Sequence, residues 1–292
     1  MSVGTTPPEV AAWSEVTPAS ASPPRRRRRM SLAAWLAPFA TFLCFLGGWY
    51  LVSEVMLAED LRFLLPPPHE VVRDSFLDPY NRVELLRALG LSATVAMVGL
   101  AIAIVLGMTV AIVMSQARWV EQSLYPYAVI LQCIPILALV PVIGFWFEFG
   151  FTSRVIVCVL IALFPIISNT LFGLSSVDDA HRDLFRLHRT GRLRRLWKLE
   201  LPAALPAIFA GFRISAGLSV IGAIVGDFFF KQGDPGIGIL IDLYRARLQT
   251  AQMFGAVILA SLLGVVVFWI FGLLSRVAVG KWHESARHRT SQ

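Results

Sequence analysis

Six apolar stretches, each long enough to cross a lipid bilayer as a helix, run through this chain of 292 residues. They are Met30–Ser53, Leu89–Met114, Leu124–Phe147, Val155–Val177, Leu205–Phe230 and Met253–Ser275, and only the fifth holds charge, at Arg213 and Asp227. A bilayer core takes about 20 apolar residues per helical crossing. One such run can be a buried helix of a soluble protein; six in succession have no soluble interior large enough to hide them. Charged residues make up 15% of the chain, against about 25% in soluble domains, too few to coat a water-soluble globule. The runs are continuous rather than alternating, which excludes barrel strands, and a helix satisfies its own backbone hydrogen bonds inside lipid. The sequence predicts an all-α, polytopic transmembrane bundle of six spans.

The net charge of +7 is placed as topology would place it. Arg25–Arg29 precede the first span and Arg118 lies between the second and third. Arg182, Arg186, Arg189, Arg192, Arg194, Arg195 and Lys198 lie between the fourth and fifth, and Arg276, Lys281, Arg287 and Arg289 follow the sixth. In a six-span chain these segments share one side, and an excess of Lys and Arg marks the cytoplasm. Arg62, Arg73, Arg82 and Arg87 sit on the other side among acidic residues, a smaller opposing signal. The expectation is a multi-pass protein of the cell membrane, partnered by the lipid bilayer, with both termini cytoplasmic. A basic face interleaved with aromatics is missing from the sequence, so no nucleic acid is expected as a partner.

Residues 1–29, rich in Pro, Ala, Ser and Thr, read as a disordered basic tail. Residues 30–276 form the transmembrane domain and 277–292 a cytoplasmic C-terminal tail. Arg25–Arg29 also has the outline of a signal peptide, but the apolar run that follows outlasts the roughly 7–15 residues of a signal core. Cys44, Cys133 and Cys158 all fall within spans and show no metal-ligand spacing, so packing is their expected role and no metal site is predicted. A Ser/His/Asp set or carboxylate pair does not stand out, so no catalytic residue is assigned and the chain is read as a non-enzyme.

Between the first two spans, Leu65-Pro66-Pro67-Pro68-His69-Glu70-Val71 reads as an extended segment. A short amphipathic helix carrying Val71, Val72, Phe76 and Leu77 along the outer surface follows, then a turn at Asp78-Pro79-Tyr80-Asn81. Small residues recur every fourth position at Ala103, Gly107 and Ala111, and again at Gly211, Ser215, Ser219 and Ala223, with Asp227 next in that row. Such rows allow close helix packing in lipid, and a pathway lining is the other reading. Pro126, Pro135 and Pro141 in the third span and Pro165 in the fourth are expected to kink their helices. Phe145, Trp146, Phe147 and Phe149 read as an interfacial aromatic belt. The polar groups inside spans, Gln132, Asn169, Arg213 and Asp227, are the candidate pathway residues; interhelical hydrogen bonding or pairing is the alternative for each.

The segment 178–206 is amphipathic and basic. Leu184, Leu187 and His188 share one helical face and Thr190-Gly191 permits a turn. Leu193, Leu196, Trp197, Leu199 and Leu201 then form a second apolar stripe flanked by Arg192, Arg194, Arg195 and Lys198. Pro202 and Pro206 are expected to stop this second helix and reset the chain into the fifth span. Two short helices joined by an elbow can lie on a membrane surface or dock another protein. The segment resembles the cytoplasmic signature loop of ABC importer permeases: Glu-Ala-Ala, three residues, Gly, nine residues, Ile, one residue, Leu-Pro. Aligned on Leu201-Pro202, Asp183 takes the Glu, Leu184-Phe185 the alanines, Arg189 the Gly and Leu199 the Ile. Leu-Phe for Ala-Ala and Arg for Gly depart from the pattern, and Gly191 is expected to supply the turn instead.

The resemblance extends over about Leu65–Ser275. Leu65–Val71 is similar to the opening of nitrate/sulfonate/taurine-type permeases. So are Gln132-Cys133-Ile134-Pro135, Pro141 and Phe145–Gly150 in the third span, Phe164–Thr170 with Gly173-Leu174 in the fourth, and Leu205-Pro206 to Gly211 with Gly222 to Asp227 in the fifth. Gly236-Ile237-Gly238 in an outer loop completes the set. Within that family the wording is most similar to permeases for pyrimidine vitamin precursors or riboflavin.

The resemblance implies a transport subunit moving a small polar or anionic solute inward. It implies a permease pair, a homodimer or two related chains, together with an ABC ATPase subunit and an extracytoplasmic solute-binding protein. The implied coupling-loop residues are Asp183, Arg189, Gly191, Leu193, Leu196, Trp197, Leu201 and Pro202, with Leu193, Leu196 and Trp197 as apolar knobs for a groove on the ATPase. The chain has no Gly-x-x-x-x-Gly-Lys-Ser/Thr loop, so ATP and Mg are expected on the partner and no cofactor on this chain. A secondary transporter driven by an ion gradient is the rival reading and calls for more acids at mid-membrane. A membrane enzyme acting on lipid calls for a carboxylate or His cluster at a membrane face.

Overall fold

The computed structural model describes residues 32–280. The N-terminal tail 1–29 with Arg25–Arg29, and the C-terminal tail past Gly280, lie outside the described residues. Among the described residues there is no strand. Five helices, and one further pair bent at a break, are long and apolar enough to cross a membrane. The molecule is an all-α polytopic bundle.

The first crossing is α1 (Leu32–Leu51), continued by a π-helical turn over Val52–Met56. The proline segment behind it is tied back to this crossing. Trp49 Nε1 donates to Pro66 O (3.1 Å) and Ser53 Oγ to Leu65 O (2.7 Å). The short helix that follows is α2 (Pro68–Val72) with a π-helical turn, Arg73–Leu77. Val71 and Ser75 turn inward while Val72 and Leu77 stay exposed.

The predicted turn at Asp78–Asn81 is instead the start of α3 (Pro79–Ser115). Asp78 caps it by accepting from Tyr80 N (2.9 Å), with Pro79 in the first helical turn. The second crossing therefore begins ten residues before Leu89. At 1.5 Å per residue its 37 residues reach about 55 Å, well beyond a ~30 Å hydrocarbon core.

The third run is not one helix. α4 (Arg118–Cys133) and α5 (Ile136–Phe147) meet at 95°. Pro135 has no N–H to continue the ladder and biases the residue before it to extended backbone; Ile134 accordingly sits at φ −68°, ψ 126°. Pro126, Pro141 and Pro165 all lie inside continuous helices.

The fourth crossing, α6 (Phe151–Ser175), is the centre of the molecule, clasped between α3 and α9 (Leu201–Phe229). Both rows of small residues are buried and pack on it. A Cβ placed on Gly107 would stand 2.7 Å from Ile166 Cγ2, one on Gly211 2.9 Å from Asn169 Cβ, and one on Gly222 2.9 Å from the Cys158 backbone. Ser215 Oγ adds a hydrogen bond across the seam to Ala162 O (2.7 Å). The rows are packing seams, where close backbone approach replaces the hydrophobic drive that lipid removes. Cys158 is buried in this seam, whereas Cys44 and Cys133 are exposed and contribute nothing to the core.

Between α6 and α9 lie α7 (Asp179–Leu187), α8 (Arg192–Arg195) and a π-helical turn over Leu196–Glu200. Pro202 and Pro206 do not stop the second elbow helix, because Arg192–Phe229 runs on as a single helical element of 38 residues. The π-helical turn adds one residue just ahead of Pro202, so Leu201 N reaches back to Leu196 O. The widened turn makes room for the proline ring. After α9, α10 (Ile237–Ala246) lays Ile237, Leu240 and Tyr244 on Leu85, Ala88, Ala256 and Ala260, and α11 (Thr250–Val279) makes the last crossing.

Candidate functional site: the basic elbow and a neutral groove

The elbow is two helices around a left-handed corner. Asp178 caps α7 by accepting from Ala180 N (3.1 Å). At its other end His188 closes the helix and Arg189 takes φ +49°. Thr190 N donates to Phe185 O (3.2 Å) and Arg189 N to Arg186 O (2.9 Å), the paired bonds of a helix ending that glycine usually completes. The predicted corner at Gly191 is thus displaced by two residues. Gly191 has ordinary extended backbone (φ −64°, ψ 155°) and caps α8. The glycine of the resembled pattern falls where Arg189 stands, and Arg189 adopts a left-handed conformation that favours glycine.

Leu193 and Trp197 stand out from the elbow, 69% and 66% exposed, beside exposed Leu184 and Leu187. Leu196 does not join them. It is buried against Leu174, Ala204 and Ile208, because the π-helical turn that begins there rotates it toward the bundle. The sequence expectation of Leu196 as an outward knob is therefore corrected to an anchor. Buried Glu200 is a second anchor, accepting from Arg195 Nε (2.8 Å). Arg182 is a third: its Nη2 donates to Leu174 O (3.1 Å) and Ser175 O (3.3 Å), capping the end of α6. Asp183 pairs with Arg186 at the surface (3.3 Å). Leu201 and Pro202 open α9. The result is a fixed elbow whose outer face is apolar with arginines around it.

Gln132 and Asn169 line one groove of about 520 Å³, together with Pro165, Ser168, Phe164 and the Ile214 and Leu218 face of α9. The groove abuts the break between α4 and α5. Asn169 Nδ2 donates to Pro165 O (2.8 Å). Arg213 and Asp227 are not in this groove. The Arg213 guanidinium lies over the Phe268 ring of α11, 3.9 Å from its centroid. The two residues are 14 positions apart on one helix, about 21 Å along its axis, too far to pair with each other.

The partner of Asp227 is Arg154, which sequence reasoning missed because it sits one residue outside the apolar run. Arg154 Nη1 stands 3.2 Å from Asp227 Oδ1, both side chains buried. The same guanidinium donates to Phe230 O (2.9 Å), Gln232 O (3.0 Å) and Asp234 O (3.1 Å), so Oδ1 is held by charge and not by an aligned hydrogen bond. Ser92 Oγ donates to Asp227 Oδ2 (2.5 Å), Gly238 N also donates to Oδ2 (3.3 Å), and Ile237 N donates to Ser92 Oγ (2.8 Å). One buried cluster thus locks α3, α6, α9 and α10 together at the end opposite the elbow. An Arg at the head of a span matched to an Asp at the tail of the next was the signal that marks such a lock.

A helical bundle with several membrane-spanning helices and an anchored basic elbow at one end defines a polytopic integral membrane protein. The chain belongs to the family of binding-protein-dependent transport system inner membrane components, whose family model matches residues 103–278. It is similar to the formylaminopyrimidine transport permease protein of Halalkalibacterium halodurans, 32% identical over 235 residues that cover 80% of this chain and 90% of the relative. It is also similar to the riboflavin transport system permease protein of Chloroflexus aurantiacus, 35% identical over 168 residues, 58% of this chain and 62% of the relative. The nitrate import permease protein of Synechococcus elongatus is 27% identical over 281 residues, 88% of this chain and 98% of the relative. The protein is a non-catalytic permease subunit of an ABC importer for a small solute, resident in the inner membrane.

Proposed function

We propose that the elbow end of the bundle faces the cytoplasm and docks an ABC ATPase subunit. Two copies of the chain enclose the solute path, and a solute-binding protein delivers cargo at the opposite end. ATP and Mg bind and turn over on the ATPase; this chain holds no cofactor. The observation that carries the reading is the exposed pair Leu193 and Trp197 on an elbow that Leu196, buried in the bundle, holds in place. Tryptophan and arginine side chains on a rigid base are the usual anchors of a protein interface, and Trp197 stands among arginines here. The single helical element Arg192–Phe229 then carries any displacement of Trp197 into the α9 wall of the groove.

The relatives named above suggest cargo ranging from pyrimidines and riboflavin to nitrate. The test is isolation of the chain from its own membranes in mild detergent. The reading predicts a co-purifying P-loop ATPase, and solute uptake by reconstituted vesicles that stops when hydrolysis is blocked. Uptake by the chain alone, driven by an imposed ion gradient, would contradict it.

A further inference from the structure

We propose that the groove beside the break between α4 and α5 takes an uncharged polar solute in preference to an anion. This rests on the transport reading above and narrows its cargo. The groove straddles the middle of α6, from Leu160 to Asn169. Its polar side chains are Gln132, Ser168 and Asn169, all neutral, and its remaining lining is aliphatic apart from Phe164 and Pro165. The guanidinium groups of the neighbouring crossings are committed elsewhere. Arg154 faces Asp227 and three carbonyls, and Arg213 lies over Phe268. An anion entering the groove would shed water and meet no cation among its lining residues, a heavy cost at membrane depth.

A neutral solute with both donors and acceptors meets matching groups. Pro165 cannot bond back to Ile161 O, which leaves that carbonyl open in the wall. Asn169 uses its Nδ2 on Pro165 O, so Oδ1 is free to accept. At the break, α4 ends in unpaired carbonyls and α5 begins with unpaired amides. The amide end alone would draw an anion, but the carbonyl end opposes it, and the two partial charges offset. Irregular backbone at membrane depth persists only where protein buries it or where it lines a wet cavity. Ile134 is exposed at this break and lines the groove, which favours the wet cavity.

The test reads the groove without knowing the cargo. In a chain carrying Cys44→Ser, Cys133→Ser and Cys158→Ala, a single Ser168→Cys is introduced. The complex isolated from its own membranes is then treated with neutral, anionic and cationic methanethiosulfonates of similar size. Rates are normalised to those on a free thiol, Tyr80→Cys, exposed and far from the elbow, serves as the control, and Gln132→Cys replaces Ser168→Cys if that variant does not fold. The neutral reagent is expected to label the groove about tenfold faster than the anionic one, with no such ratio at Tyr80→Cys. Equal or faster labelling by the anionic reagent would overturn the proposal. So would the absence of labelling by any reagent when the control labels. Neither result depends on whether an ATPase co-purifies, so failure here is distinct from failure of the transport reading.

Discussion

Arg189 holds a conformation that glycine adopts without strain and other residues adopt at a cost of roughly 1–2 kcal/mol. Arg189→Gly should stabilise the elbow corner by about 1 kcal/mol, seen as about fivefold slower hydrogen exchange at the Thr190 amide. Gly191→Ala should leave that amide unchanged, since Gly191 has ordinary backbone and open space around its Cα. Arg154 is a fork gripping three carbonyls at once, a task a lysine ammonium cannot repeat. Arg154→Lys should therefore lower the yield of folded, monodisperse protein, and Asp227→Ala should lower it further by leaving a buried guanidinium without its countercharge, a loss of about 3 kcal/mol. Full yield from both variants would refute the lock. At this scale the sequence was legible where side-chain chemistry alone decides, as at Leu193 and Trp197. It misled where backbone geometry decides. The stripe Leu193, Leu196, Trp197 assumes a regular helix, but a π-helical turn begins at Leu196, which lies in the core and not on the exposed face.

The seam between α6 and α9 is an element built on absent side chains. Gly222→Ala puts a methyl 2.9 Å from the Cys158 backbone, so the helices must separate. The expected loss is about 1–3 kcal/mol, measurable as a lower melting temperature in detergent; an unchanged melting temperature would mean the seam is looser than described. At the other end, α10 is clamped by Asp242, whose carboxylate accepts from Lys231 Nζ (2.5 Å) and Arg245 Nη2 (2.7 Å). Lys231 first, then Arg245, holds this carboxyl below the usual aspartate range. A depressed folded-state value means that the clamp stabilises above the unfolded value, near pH 4, and fades as pH falls through the folded one. Hydrogen-exchange protection of α10 should accordingly drop below about pH 4, and Asp242→Asn should flatten that dependence. The five long crossings and both seams were legible from run length and four-residue spacing. The break at Pro135 was legible only as a kink, because proline removes one bond wherever it stands and the surroundings decide between a bend and a turn of 95°. The helix α10 was hidden in a loop reading, since it is too short to cross and shows its amphipathic spacing only at Ile237, Leu240 and Tyr244.

In the whole molecule, three features lie along one mechanical line. The lock around Asp227 fixes one end of α9, the elbow forms its other end, and the groove opens along its middle. A force applied at Trp197 can tilt α9 about the lock and change the groove between them, which is what a subunit driven by another protein's hydrolysis requires. The family and the membrane setting were within reach of the sequence; the division of the elbow into an exposed apolar face and a buried anchor was not. That division is tested by measuring ATPase affinity for the full-length permease in lipid nanodiscs across three variants. Trp197→Ala and Leu193→Ala should each weaken binding, the tryptophan by about thirtyfold, corresponding to ~2 kcal/mol, with the permease melting temperature unchanged. Leu196→Ala should instead lower the melting temperature, by about 2 kcal/mol of lost packing, with little direct effect on affinity in the folded fraction. Wild-type affinity in both Trp197→Ala and Leu193→Ala would contradict the account.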